Sequence, residues 1–580
     1  LDLRKHTLQL LQTEKYTVED KRASIQYRKS NRFALVYPST YQLGMSSLGV
    51  QVIHATLNRR LDTACERVFI PESDYVHELI KKNIPLFSLE TQTPLNAFDI
   101  VGFSVSFESD YVNIVRALEL GKIPQLSEER SEWDPLIIAG GINISYNPEP
   151  LADFIDVFVV GEAEHIIHEL MDKFNDWKQS NTPKVDLLES LSKEPGLYVP
   201  SFYDVTYHTD GTVEQVRAKP GFPEKIRSAA VPVLNDVETC THIHTPNTEF
   251  SNAHLIEIVR GCGRQCRFCV ADYARRWPRH RTVDNTLELA EKARGITDRI
   301  GLVGASISDH PQINEIASGL VDRGFRISCA SLRAETVEAP LLDALADSDQ
   351  GTITIAPEVA TEELQKVVNK AIPKERLYYV FEEALKRDIL NLRLYFLIGV
   401  PHETPEDVTA IVDMAKEMRT ILLPHAKRSG KIGRVSFTIS PMVPKPHTPF
   451  QWVPMEPPKT IAKKLDYLKR EINRLGSIKV SSASARMAHQ EAVFARGDRR
   501  LGKVILDLAQ GNTWNNAFRT HGLAPDFYAL RKRGFTEVNP WDHLDLNVKP
   551  QFLQLEHNKH EKGYMTSQCD TTVCKKCGAC

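Results

Sequence analysis

The stretch Arg260-Gly261-Cys262-Gly263-Arg264-Gln265-Cys266-Arg267-Phe268-Cys269 decides how the chain is read. It sets three thiols at i, i+4 and i+7 on a short loop, directly after the apolar, strand-like run from His254 to Val259. Thiolates so spaced can hold three irons of a cubane [4Fe-4S] cluster and leave the fourth iron without a protein ligand. A cluster used only for electron transfer is normally closed by a fourth thiolate, so an open iron is a place for substrate or cofactor. A zinc knuckle, or three separately buried cysteines, would account for the same residues in another way.

The 580 residues suffice for about three to four domains, and 42% apolar residues supply several cores. A formal charge of -3 gives no general attraction to nucleic acid, which would need a local basic patch. No apolar run approaches the ~20 residues that span a bilayer, and the residues from Leu1 lack the apolar stretch of a signal peptide. A cytoplasmic protein without a membrane partner is expected. Of the ten cysteines, seven fall in two groups, Cys262, Cys266, Cys269 and Cys569, Cys574, Cys577, Cys580. Thiols clustered in this way argue for metal ligation over disulfides. Cys65, Cys240 and Cys329 stand alone and read as small buried apolar residues.

The C-x3-C-x2-C spacing, with the aromatic Phe268 before its last cysteine, resembles the signature of the radical S-adenosylmethionine (radical SAM) enzymes. In that family the methionine amino and carboxylate groups of SAM chelate the open iron. One electron then cleaves a carbon–sulfur bond and yields a 5'-deoxyadenosyl radical. The resemblance therefore implies SAM and a one-electron donor such as flavodoxin or ferredoxin as partners.

An α/β architecture is expected throughout. After a polar leader (residues 1–30), residues 31–175 alternate short apolar runs, Phe33 to Tyr37, Ile100 to Ser104, Leu136 to Ala139 and Val157 to Val160, with helix-length segments. This is the pattern of a Rossmann-like, doubly wound parallel sheet. Gly102-Phe103-Ser104-Val105-Ser106, Ile138-Ala139-Gly140-Gly141 and Val160-Gly161-Glu162-Ala163-Glu164 resemble the cobalamin-binding-type domain that precedes many radical SAM cores. Bound cobalamin is an open question, because the D-x-H-x-x-G motif is missing and the loop reads Pro38-Ser39-Thr40-Tyr41-Gln42-Leu43-Gly44. Residues 176–250 read as a β-rich connector with a hairpin at Asp210-Gly211.

Residues 251–455 carry six strand-plus-helix units, a partial (β/α)6 barrel that resembles the radical SAM core and has its active residues at the carboxyl ends of strands. Gly304-Ala305-Ser306 occupies the place of the glycine-rich turn that binds the SAM amino group, without the usual Gly-Gly-Glu. Ser331 and Arg333 close the third strand, where Arg333 could pair with the SAM carboxylate or form a surface salt bridge. Glu358 matches the acidic residue near the SAM ribose, or is a helix N-terminal carboxylate. Gly399, in Gly399-Val400-Pro401-His402-Glu403-Thr404, matches the turn beside the adenine. The stretch Tyr273 to Arg281 interleaves four arginines with two aromatics, a composition that suits an RNA or nucleotide contact, neutralisation of cluster charge, or a solvated face.

Residues 456–550 read as a helical region, within which the charge-dense run His489 to Gly502 is expected to carry solvated ion pairs. The tail, residues 551–580, ends in C-x4-C-x2-C-x2-C (Cys569, Cys574, Cys577, Cys580), favouring a second [4Fe-4S] cluster over zinc or free thiols. The leading expectation is a radical SAM enzyme that transfers a methyl group through cobalamin. The runner-up is methylthiolation or sulfur insertion, on RNA or another substrate, with the tail cluster as sulfur source. A non-catalytic iron–sulfur protein that binds RNA or carries electrons is the third.

Overall fold

The structure is a computed structural model that describes residues 2–17, 31–250, 252–571 and 573–579. Part of the expected leader and Cys580 lie outside the described residues. The chain forms two compact units: Leu1–Ala253 with Phe494–Tyr528 and Thr536–Asn547, and His254–Val493 with Ala529–Phe535 and Val548–Cys580.

The first unit is built on a six-stranded sheet of β1 (Asn31–Tyr37), β2 (Thr63–Phe69), β3 (Ile100–Ser104), β4 (Leu136–Gly140), β5 (Val157–Val159) and β6 (Leu197–Tyr198), in the order β2-β1-β3-β4-β5-β6. The first five are parallel, and β6 closes the edge antiparallel to β5. Runs such as Phe33-Ala-Leu-Val-Tyr are buried at every position, as a parallel sheet covered on both faces requires. The strand order reverses between β1 and β3, and ligands of doubly wound sheets bind outside the carboxyl ends at that reversal. Gly141, just past β4, has φ +122°, and a Cβ there would stand 2.2 Å from the carbonyl oxygen of Val105, so the two strand exits pass closely only with glycine. In the same quarter Asp110 Oδ2, Tyr111 Oη and Asn143 Nδ2 are buried without hydrogen-bond partners.

Two sequence expectations change here. Leu3–Gln12 of the polar leader is a helix capped by Asp2, and its Leu11 packs with Tyr41, Met45 and Ile243. The charges of the run His489 to Gly502 are not all solvated: Arg496 and Asp498 are buried, and Arg499 donates to Glu149 (3.0 Å) and to the Tyr198 hydroxyl (3.0 Å). The stretch 456–550 is divided between the units. Its later part enters the first one, where Leu544–Asp545 pairs parallel with Ile226–Arg227. The hairpin at Asp210-Gly211 is present, with Val205 opposite Val216.

The second unit contains β7 (His254–Arg260), β8 (Arg279–His280), β9 (Arg299–Gly304), β10 (Arg326–Cys329), β11 (Thr352–Glu358), β12 (Asn391–Ile398), β13 (Val435–Pro441) and β14 (Ile478–Ser482). They form the sheets β8-β7-β9-β10 and β11-β12-β13-β14, parallel and in chain order except for the short antiparallel β8. A parallel bridge from Leu332 to Ile355, with the Leu332 N–H donating to the Thr354 carbonyl (2.8 Å), links the β10 side to β11. The six expected strands are joined by helices as in a partial (β/α) barrel, and β14 adds a seventh parallel strand. Among the described residues no helix is long and apolar enough to cross a membrane.

Burial, with Glu108 adding repulsion, raises the Asp110 carboxyl from its ordinary value to about 7. The folded state then holds this proton more tightly than the unfolded chain, so its contribution to stability is lost as pH rises from about 4 through 7. Asp110→Asn is expected to stabilise the protein at pH 8 by up to about 3 kcal/mol and by almost nothing at pH 4, read from denaturant midpoints at the two pH values.

Candidate active site

β7 delivers the chain to Gly261, whose φ of +76° would put a Cβ 2.3 Å from the Arg275 carbonyl and 2.5 Å from that of Trp277. Only glycine therefore allows the cysteine loop to turn so close beneath the next segment. The loop is held from several sides. The Asp272 carboxylate accepts the Gln265 N–H, and Asn369 Nδ2 donates to the carbonyls of Arg264 (3.3 Å) and Gln265 (3.0 Å). Arg267 is fully buried, donates to the carbonyls of Lys366 (2.6 Å) and Tyr564 (2.6 Å), and pairs with Glu556 (3.3 Å). Phe268 packs against the apolar cluster of Val359, Val367 and Met442, which explains an aromatic residue before the last cysteine.

Burial pushes up the thiols of Cys262, Cys266 and Cys269, Cys269 to about 12, and neighbouring thiols add to the effect at Cys262 and Cys269. At Cys266 the cations Lys370 and Arg333 act in the opposite direction. Lys370 Nζ donates to Glu358 Oε1 (2.9 Å), while Arg333 Nη2 donates to Glu335 Oε1 (2.6 Å). Asp309 completes this ring: it accepts two bonds from Arg264 (2.8 and 2.5 Å) and one from the Ser306 hydroxyl (2.5 Å), with Arg333 Nε 4.0 Å away. Three thiols that interact electrostatically, two neighbouring cations and a cysteine-only donor set fit a thiolate-held iron–sulfur cluster, because metal ligation keeps thiols ionised where burial alone would not.

Among the residues singled out from sequence, Cys266, Arg333 and Glu358 come together after β7, β10 and β11. Gly304 ends β9 so close to β7 that a Cβ would stand 2.9 Å from the Val259 carbonyl; Ala305 is exposed and Ser306 buried. Ser331 is exposed. Gly399 follows β12 with φ +75° and donates its N–H to the Glu403 carboxylate, which also faces Lys464 (3.4 Å). Asp309, Lys370, Asp272 and Asn369 were not identified from sequence. Only Asn369 leaves a local trace, an asparagine in left-handed conformation (φ 55°) at the end of the helix Glu362–Val368.

The tail reaches this loop. The Cys569 N–H donates to the Gly263 carbonyl (2.7 Å), Gln265 Nε2 to the Ser567 carbonyl (2.7 Å), and the Thr566 N–H to Asn369 Oδ1 (2.7 Å). Cys577 is buried with Tyr273, Trp452, Phe552 and Leu553, and Cys574 is half-buried. Between tail and loop lies Arg276, its side chain 1% exposed, over the rings of Tyr273 (5.1 Å) and Phe552 (5.4 Å) and 3.3 Å from Asp272. Its guanidinium nitrogens have no hydrogen-bond partner, and the thiols of Cys577 and Cys569 lie within its electrostatic reach. A buried guanidinium so poorly paired costs several kcal/mol (order of magnitude) unless an anionic group meets it. A thiolate-held metal centre on the tail fits that requirement.

Three of the four arginines in the arginine-rich stretch face the interior. Arg276, Arg279 and Arg281 are buried; Arg279 donates to the carbonyls of Trp277 (3.2 Å) and Arg275 (3.1 Å), and Arg281 to that of Glu257 (2.8 Å). The composition is the same as that of an RNA contact, but these three guanidiniums are turned inward.

Comparison with known proteins places this geometry in a family. The profile of the radical SAM superfamily matches residues 256–415, and that of the N-terminal region of radical SAM proteins matches residues 49–200. An uncharacterized protein of Methanocaldococcus jannaschii is 26% identical over 477 residues, 81% of this chain and 90% of that protein. A tRNA-2-methylthio-N(6)-dimethylallyladenosine synthase of Alkaliphilus oremlandii is 26% identical over 30% of this chain and 40% of its own length. A radical S-adenosylmethionine methyltransferase from Kitasatospora setae, solved with cobalamin and a [4Fe-4S] cluster bound, has 15% identity and a TM-score of 0.47, covering 71% of this chain and 75% of that one. The chain is an enzyme of the radical SAM superfamily.

Proposed function

We propose that Cys262, Cys266 and Cys269 hold the [4Fe-4S] cluster on which SAM docks, and that the enzyme performs group transfer, with methylation as its leading form. The observation that carries this reading is the placement of Arg333, past the end of β10, and Lys370, bonded to Glu358 at the end of β11, within electrostatic reach of Cys266. Cys262, Cys266 and Cys269 would hold the cluster there, and it would supply the single electron that SAM cleavage requires. Arg333 and Lys370 offer cationic groups to the SAM carboxylate, with Glu335 and Glu358 fixing their orientation. The backbone of Gly304, Ala305 and Ser306 is the candidate partner of the SAM amino group. Glu358 is that of its ribose, and the turn at Gly399 that of its adenine. An external one-electron donor such as flavodoxin or ferredoxin completes the scheme. Cytoplasmic residence follows the same reading, since thiol-bound clusters need a reducing compartment.

Methyl transfer is put first because the first unit has the strand reversal and unpartnered Asp110, Tyr111 and Asn143 atoms of a sheet built to bind a polar ligand. A corrinoid there would serve as methyl carrier. Methylthiolation or sulfur insertion is the second reading, favoured by the docking of Cys569 on the cluster loop, where a metal centre held by the tail would lie beside the first. RNA remains a candidate substrate of that reading, in line with the tRNA-modifying relative. Methyl groups from labelled SAM in the product, with corrinoid copurifying, separate the first reading from a product that gains sulfur.

Anaerobically reconstituted protein with a reductant is expected to release 5'-deoxyadenosine from SAM, and Cys266→Ala to abolish the release. Arg333→Met and Lys370→Met are each expected to weaken SAM binding about 10- to 100-fold at unchanged iron content, the value of a charge-assisted hydrogen bond. Unchanged SAM affinity in both variants contradicts the assignment. Wild-type protein is expected to hold about eight irons, and Cys574→Ala with Cys577→Ala about four. About four irons plus one zinc in the wild type would assign the tail to zinc instead.

A further inference from the structure

A second set of ligating side chains contains no cysteine. The turn after β12 carries His402 in left-handed conformation (φ 65°), with its Nε2 3.4 Å from Glu561 Oε2. The other Glu561 oxygen stands 3.8 Å from Nε2 of His560. One ligand atom from each of the three residues lies within 4.8 Å of the other two. His560 and Glu561 end the helix Pro550–Glu561, so the group joins elements far apart in the chain.

His560 carries the argument furthest. It is 1% exposed, and neither of its ring nitrogens has a hydrogen-bond partner. Its ring is packed edge-on against Phe450 (5.2 Å) and His557 (4.5 Å), which hold the imidazole in place without satisfying it. His557 stands outside this group of three, and its Nδ1 is turned to the Pro449 carbonyl (2.8 Å). A buried imidazole with both nitrogens idle is costly in a folded protein, and one that faces a second imidazole and a carboxylate has a ready remedy.

We propose that His402, His560 and Glu561 bind one divalent transition-metal ion, separate from the cysteine-held centres. Two imidazole nitrogens and one carboxylate oxygen suit zinc, cobalt, nickel or ferrous iron better than magnesium or calcium. Three protein ligands leave a coordination position open to water or a small ligand, and the exposed His402 and Glu561 give the ion access from solvent. The ion would clip the end of the last helix, from which the cysteine tail departs, to the turn after β12.

The test is anaerobic titration of the full-length, cluster-reconstituted protein with Co2+. One equivalent is expected to bind with ligand-field bands and no thiolate charge-transfer band. His402→Ala and Glu561→Gln, both at exposed positions, are each expected to weaken that binding at least about tenfold at unchanged iron content. The proposal is overturned if no Co2+ binds, if the bound Co2+ shows thiolate charge transfer alone, or if affinity is the same in both variants as in the wild type.

Discussion

Ionising three thiols inside a protein is the requirement around which the second unit is organised. Burial alone would keep Cys262, Cys266 and Cys269 protonated, and a protonated thiol does not ligate. Metal ligation is what keeps such thiols ionised, and at Cys266 the cations Lys370 and Arg333 act in the same direction, each tethered by a carboxylate. A parallel sheet in chain order supplies one loop after another on the same side, so residues separated by over a hundred positions meet without a special local signal.

The same loop is also a docking platform. Gly263 and Gln265 bind the tail through backbone and side-chain hydrogen bonds, and Asn369 bridges loop and tail. Arg276 sits where the two cysteine groups approach, its charge only partly met by Asp272. The arrangement explains why a cluster of arginines stands next to the motif in an otherwise near-neutral chain. Of these, Arg276 is the one whose charge meets the tail thiols, while Arg279 and Arg281 donate to backbone carbonyls.

What could be read from sequence follows from how local each signal is. The cysteine loop is legible because ligand spacing is a property of ten consecutive residues, and β1 and β3 because short, mostly apolar runs suit a buried parallel strand. β14 was missed because Ile478-Lys-Val-Ser-Ser is short and half exposed, and its pairing with β13 depends on the helix before it. Whether Arg276 and Arg281 face a nucleotide, cluster charge or solvent was not legible, because composition carries no information about burial. The pairing of Leu544 with Ile226 left no trace at either position. Lys370 and Asp309 gain their roles only from strands that the fold brings side by side.

The most direct measurement is the paramagnetic resonance spectrum of the singly reduced cluster, recorded with and without SAM in protein lacking the tail thiols Cys574 and Cys577. A docking position kept vacant on the first cluster predicts a shifted spectrum on adding SAM, and a shift weakened by Arg333→Met. A spectrum indifferent to SAM, at full iron occupancy of the Cys262 loop, would contradict the account.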